Sequence, residues 1–182
     1  MSPHGDAHPI YTVGHSTRSI EEFVGLLRAG HVQRLVDVRS IPRSRTNPQF
    51  NLDTLPDTLA PWQIRHTSIP ELGGRRSRQK EVAADVNGFW TNQSFHNYAD
   101  YAMSEAFRQG LEQLVQLSVE VPCAIMCSEA VWWRCHRRII ADYLLADDRT
   151  VLHLMGHGRI EPAKMTPAAM FHDGVLSYPK TA

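Results

Sequence analysis

Lysine is scarce in this chain. Of 19 basic residues 16 are arginine and 3 are lysine, and 19 acidic residues bring the formal net charge to zero. A neutral chain is a poor wholesale polyanion binder, so any affinity for anions has to be local. Cysteine is scarce too. The three thiols, Cys123, Cys127 and Cys135, are odd in number and clustered within thirteen positions. That is a poor disulfide framework and points to a reducing cytoplasm. No apolar run approaches the roughly 20 residues that cross a bilayer, so no membrane partner is expected. Residues 1–9 have neither a basic start nor an apolar core; no secretory signal is visible, and a short disordered tail is expected there. Internal repeats and heptads are missing, which excludes solenoids and coiled coils.

What is present is an alternation of apolar runs and amphipathic stretches over 182 residues, a length that favours one domain. Residues 10–13 are β-rich and end at Gly14-His15-Ser16-Thr17, where Ser16 or Thr17 can cap a helix. Residues 19–29 carry Ile20, Phe23, Val24, Leu26 and Leu27 at helical spacing, with Glu21 and Glu22 in the first turn and Gly30 as a stop. A second strand at 34–38 completes a βαβ unit and implies a parallel pair. A Pro- and Arg-rich loop (39–48), a short helix (52–59) and a third strand (63–67) follow. Residues 70–91 have Gly-Gly, many charges and little period, and read as a long mobile loop. Helices are expected over 95–103 and 104–118, a buried strand over 122–126, a helix over 139–145 and a last strand over 151–154. The fold class is α/β: a single domain over residues 10–160, with a mostly parallel sheet of four to five strands flanked by helices in a Rossmann-like three-layer arrangement. Residues 161–182 form an extension that packs on the domain or trails from it.

The reactive side chains gather where strands end. Residues 127–138 crowd two thiols, a carboxylate, an imidazole and three guanidiniums into one strand-to-helix turn, and such turns are where ligands bind in parallel α/β proteins. A helix N-terminus and cationic neighbours lower a thiol pKa, so Cys127 or Cys135 can be a nucleophile, with Glu129 or His136 as proton-transfer partner. The plainer alternative is that Cys135 packs as a small hydrophobe, as Cys123 does inside its strand. A phosphatase loop does not fit: it needs five residues between Cys and Arg, whereas Cys127 and Arg134 enclose six and no glycine. A zinc site built from Cys127, Cys135 and His136 with His15 or His153 also fits poorly, because C-x7-C-H is not a zinc-knuckle spacing.

Two further strand ends add to this turn. His15 projects at the carboxyl edge of the first strand beside Ser16, and both suit an anion there. Asp37 and Arg39 alternate around Val38 and point to one side, either bracing the turn or meeting a ligand. Arg43 and Arg45 follow on the loop. The segment from Arg39 to Lys80 holds eight basic against three acidic residues, a basic middle hidden by the neutral total. Arginine's planar fork fits carboxylates and phosphates, although codon bias in a GC-rich genome gives the same excess. Phe50, Trp62, Phe89, Trp90, Trp132 and Trp133 interleave with these charges as base-stacking surfaces would, though core packing accounts for most of them.

Gly14-His15-Ser16, Asp37-Val-Arg39 with Pro42 and Ser44, Leu72-Gly-Gly74, Phe95-His-Asn-Tyr98-Ala with Phe107, Cys127-x-Glu129, Cys135-His136-Arg137 and Val151-x-His153 together resemble the family labelled domain of unknown function 488. The motifs keep the family's order and span residues 10–160. The resemblance implies a cytoplasmic protein with a parallel α/β core, and marks His15, Asp37, Arg39, Cys127, Glu129, Cys135, His136 and Arg137 as motif positions. Trp132-Trp133 departs from the pattern, which has a proline and acidic residues before Cys-His-Arg.

The expectation is an enzyme acting on an anionic substrate, a nucleotide or a nucleic-acid component. His15, Glu129 and Cys127 would do acid–base or nucleophilic work, and Ser16, Asp37, Arg39, Arg43, His136 and Arg137 would hold the anion. A non-catalytic module for nucleotides or single-stranded nucleic acid is the alternative, and a structural metal site a third. No motif specifies a cofactor.

Overall fold

The β-rich runs alternate with amphipathic helices, and in the computed structural model, which describes residues 7–180, they assemble into one mostly parallel sheet. Strands β1 (Ile10–Gly14), β2 (Arg34–Asp37), β3 (Arg65–Ser68), β4 (Cys123–Cys127), β5 (Val151–Gly156) and β6 (Arg159–Pro162) lie in the order β3-β2-β4-β1-β5-β6. All neighbours are parallel except β5 and β6. Every residue of β4 is buried, as a central strand covered on both faces requires. The sheet has one strand more than expected, because Gly156, His157 and Gly158 take positive φ and turn the chain back along β5.

Helices α1 (Ile20–Ala29) and α2 (Leu55–Leu59) cover one face through Phe23, Leu27, Leu55 and Leu59. Helices α3 (Gln93–Tyr101), α4 (Glu105–Glu120) and α5 (Arg137–Ala146) cover the other through Tyr98, Phe107, Leu114, Ile140 and Leu144. This is the three-layer α/β architecture. The chain leaves β1 by α1 on one face and leaves its neighbour β4 by α5 on the opposite face. Adjacent strands whose connections part in this way open a crevice at their carboxyl ends. The β1–β4 boundary is that point, and it carries Gly14-His15-Ser16 on one side and Cys127-Ser128-Glu129 on the other.

Helix α1 is capped by Ser19, whose Oγ accepts the Glu22 amide at 3.1 Å, and not by Ser16 or Thr17. The Ser16 amide is already taken, since it donates to the Ser128 carbonyl at 3.0 Å, and Ser16 adopts a left-handed φ of 50°. Residues 70–91 hold only a short turn at Pro70–Leu72, yet they are anchored. The Asn87 amide donates to Asp100 at 2.7 Å and its carbonyl oxygen accepts the Tyr178 amide at 2.9 Å, while Arg76 stacks over Tyr101. Of the tail expected at 1–9, residues 1–6 lie outside the described residues, as do 181 and 182 at the other end.

The C-terminal extension packs on the domain. Strands β7 (Met170–His172) and β8 (Val175–Ser177) pair through Asp173-Gly174, both at positive φ, the turn that an Asp-Gly pair favours. Leu176 and Tyr178 enter the core beside α5. Asp142 fastens them there, accepting the Tyr178 hydroxyl at 2.8 Å and the Thr166 amide at 2.9 Å. Among the described residues no helix is long and apolar enough to cross a membrane. Tyr178→Phe removes a donor from a buried carboxyl and is expected to lower the unfolding free energy by about 1–3 kcal/mol. Urea denaturation of the two proteins measures it.

Candidate functional site

The crevice is a cleft of about 690 Å³ walled by Arg39, Ser40 and Arg43 after β2, Gly74 and Arg75, Phe95 and Tyr98 of α3, and Cys127 to Glu129 with Arg134 to His136. Its position follows from the switch in strand connections, and its closeness from two glycines. A β-carbon on Gly14 would overlap the Glu129 carbonyl, so only glycine lets the β4–α5 turn close over β1. A β-carbon on Gly74 would overlap the His136 ring, so only glycine lets the 70–91 segment lie against that imidazole.

At the floor, the Sγ atoms of Cys127 and Cys135 are in contact at 2.6 Å, and both cysteines are free. Arg137 lies directly beneath. It is 1% exposed, and its guanidinium donates from Nε to Cys127 Sγ at 3.0 Å, from Nη1 to Thr12 Oγ1 at 3.0 Å and from Nη2 to the Glu129 carbonyl at 2.7 Å. None of these acceptors is a carboxylate. A buried cation needs a counter-charge, and the thiol pair is what stands within reach. The pair is therefore where the counter-charge can form, by loss of one thiol proton. Burial alone would raise the Cys135 thiol; the hydrogen bond with Cys127, the charge of Arg137 and its backbone amide at 3.4 Å outweigh burial and bring Cys135 down to about 7. Cys135 also stands just before the N-terminus of α5, where the helix dipole favours an anion. Burial and the neighbouring Cys135 push Cys127 well above its ordinary value. Cys123 is apart from this pair, raised to about 11 by burial.

His136 is the base that faces Cys135 while that sulfur still holds its proton. Its Nε2 sits 2.8 Å from the Val38 carbonyl, which can only accept, so that nitrogen carries the proton and Nδ1 turns its lone pair to Cys135 Sγ at 3.4 Å. Burial holds the imidazole below its usual pKa and keeps it neutral. A nucleophile, a base and a group orienting the base are thus in register.

The β1 and β2 ends form a brace. Arg39 grips Asp37 through two parallel bonds of 2.9 and 2.7 Å and also donates to the Phe50 carbonyl at 2.8 Å. His15 stacks on Phe50, donates from Nδ1 to the Ser16 carbonyl at 2.9 Å and turns Nε2 to Arg39 at 3.4 Å. Burial, ahead of the Arg39 charge, lowers its pKa. Burial would raise the Asp37 carboxyl, but His66 and Arg39 hold it below the usual range.

The structure brings Cys127, Glu129, His136, Arg39 and Arg43 to the cleft wall. It places His15, Asp37 and Arg137 behind that wall, buried and bonded to protein groups. Ser16 is half-buried with its amide in use. The Glu129 and Arg43 side chains are exposed and have no partner among the described residues. Sequence reasoning did not select Arg75, Arg134 or Tyr98 for the site. Arg75 and Arg134 are exposed cations on the rim, likewise without side-chain partners among the described residues. Tyr98 packs edge-on against His136 and donates to the Leu72 carbonyl at 2.8 Å. The signal for Arg75 and Tyr98 was present in the Leu-Gly-Gly-Arg and Phe-His-Asn-Tyr stretches, and that for Arg134 in the Cys127-to-Arg138 turn, but spacing alone does not aim them at the thiols.

Behind the thiols a polar chain continues from Arg137 through Thr12 to His153, whose Nδ1 lies 2.6 Å from Thr12 Oγ1. Burial and then the Arg137 charge lower His153 to about 4, so it is neutral. Trp132 stacks on it at 4.7 Å. Among the described residues no group of three or more His, Cys, Asp or Glu is placed to hold a metal ion.

Two outcomes are expected. Ultraviolet titration of thiolate absorbance should show one thiol ionising near pH 7, and Cys135→Ser should abolish that step. Asp37→Asn leaves the Arg39 charge buried and unpaired, which costs about 3–5 kcal/mol. Because the Asp37 pKa is depressed in the folded chain, its contribution is complete above the usual carboxylate range and lost as pH falls through the folded value. Stability curves of wild type and variant should therefore converge in acid.

Comparison with curated proteins found no match, and comparison with solved structures found none. The sequence profile described as Domain of unknown function DUF488 matches residues 19–144, which hold the β2 brace, the Gly73-Gly74 turn, α3 and the whole Cys127-to-Arg137 turn. The chain belongs to that family.

Proposed function

We propose that the chain is an enzyme that takes an anionic substrate, a nucleotide or nucleic-acid component, into the cleft and attacks it with the Cys135 thiolate, the displaced group leaving with the bonding pair and with a proton that Glu129 relays. One coincidence carries the reading. A thiol whose ionised form Arg137 favours, and which the His136 lone pair faces, lies at the floor of a cleft whose rim holds three guanidiniums without side-chain partners among the described residues, Arg43, Arg75 and Arg134. Those arginines would hold phosphate or carboxylate oxygens. Glu129, free at the rim, is within the site to carry a proton to or from the substrate. Cys127 holds its sulfur against Cys135, and His15, Asp37 and Arg39 keep the wall in place. A reducing cytoplasm, the setting expected from the cysteines, keeps both thiols available.

Binding without turnover is the second reading. Trp133 is 44% exposed and next to Arg134, so a stacking surface adjoins a phosphate contact.

A turnover screen over nucleotides and short oligonucleotides separates the two. Cys135→Ser is expected to lower turnover about a thousandfold or more while leaving binding intact; unchanged turnover would sink the enzyme reading. Binding of a short single strand should weaken with salt at a log–log slope of about −2 for three phosphate contacts, and Arg43→Ala, Arg75→Ala and Arg134→Ala should each flatten it by about 0.7. A slope near zero in wild type would remove the anion site.

A further inference from the structure

We propose that Cys127 and Cys135 work as a two-electron thiol–disulfide couple, and that its substrate is a small disulfide carrying negative charge. This rests on the reading of the cleft as an anion site. The second thiol is what a single-nucleophile mechanism leaves unexplained. A lone thiolate needs only its base and its cation, yet here another sulfur touches it from the end of β4. Both cysteines border the same cleft, and Cys135, the one with the lowered pKa, is the sulfur that attacks first. Arg137 serves both, donating its Nε–H to Cys127 and its backbone amide to Cys135, so negative charge can move from one sulfur to the other without leaving the guanidinium.

The exchange balances as follows. The Cys135 thiolate attacks one sulfur of X–S–S–X; a Cys135–S–X bond forms, the substrate S–S bond breaks, and X–S⁻ departs with the bonding pair. Cys127 gives its proton to that X–S⁻. The Cys127 thiolate then attacks Cys135 Sγ, forms the Cys127–Cys135 bond and expels the second X–S⁻. Two electrons have passed from the protein to the disulfide, and an external monothiol returns them by the reverse exchange. The oxidised pair leaves Arg137 without its counter-charge, a cost that favours return to the thiol form and sets this couple apart from a structural disulfide.

The test incubates the full chain at low ionic strength with oxidised glutathione, an anionic disulfide, or with cystamine, a cationic one. Free thiols are counted and the products mapped by peptide mass. Titratable thiols are expected to fall from the three free cysteines to one, with Cys127 joined to Cys135, and to return on adding reduced glutathione. The rate should be about tenfold or more higher with oxidised glutathione. Cys127→Ser should halt at a Cys135–glutathione mixed disulfide, which identifies the attacking sulfur. A wild-type protein whose pair stays reduced, or which accumulates that mixed disulfide, overturns the couple. Equal rates with the two disulfides overturn the anionic substrate class. The salt titration of oligonucleotide binding is independent of oxidation: intact anion affinity beside an inert pair sinks the couple alone, and lost affinity sinks the cleft reading beneath it.

Discussion

A guanidinium that is 1% exposed and bonded to a hydroxyl, a carbonyl and the Cys127 sulfur meets no carboxylate among the three. Its counter-charge forms one atom further on, at Cys135, which touches Cys127 and whose thiol is brought down to about 7. Arg137 therefore determines the protonation of the thiol pair, and the pair in turn makes it tolerable for a cation to begin a helix inside the core. The geometry depends on this interaction in both directions. Thr12 holds the guanidinium from β1, the Glu129 carbonyl holds it from the turn, and Cys127 holds it from β4, so the ion fixes how two central strands and α5 meet.

The motif positions singled out in the sequence fall into place around that ion. Gly14 lets the turn above Arg137 close, and Gly74 lets the facing segment approach His136. Tyr98 supports the same imidazole from α3 and ties itself to Leu72, so Leu-Gly-Gly and Phe-His-Asn-Tyr are two parts of one wall. Asp37 and Arg39 neutralise each other and hold Phe50 under His15. Residues far apart in the chain thus form one layer of supports beneath a small set of cleft-facing groups.

Much of the fold was legible because apolar periodicity and strand composition report burial, and burial decides a three-layer sheet. The Cys127-to-Arg138 turn was legible as a site because no core needs so many ionisable groups. Roles within it were not, since they depend on distances across strands. Arg137 read as a substrate ligand, yet its guanidinium points inward; Glu129 contributes a carbonyl to the core and its carboxylate to the rim. The helix cap fell on Ser19 because Ser16, in a left-handed conformation and bonded to the Ser128 carbonyl, still belongs to the turn before α1, a contact invisible in local sequence. The C-terminal hairpin was within reach, for Asp173-Gly174 between Phe171-His172 and Val175-Leu176 is a strong turn signal, but its strands are only three residues each.

Helix α5 begins at Arg137 and bears Asp142 midway, where the carboxyl seats Tyr178 and Thr166. One ten-residue rod thus has the thiol site at its head and the C-terminal extension hung from its middle. The extension lines no part of the cleft but is mechanically in series with it. A chain cut short before Thr166 would free the rod along its outer side, and the slack would reach the sulfurs as a change in how closely Arg137 follows them.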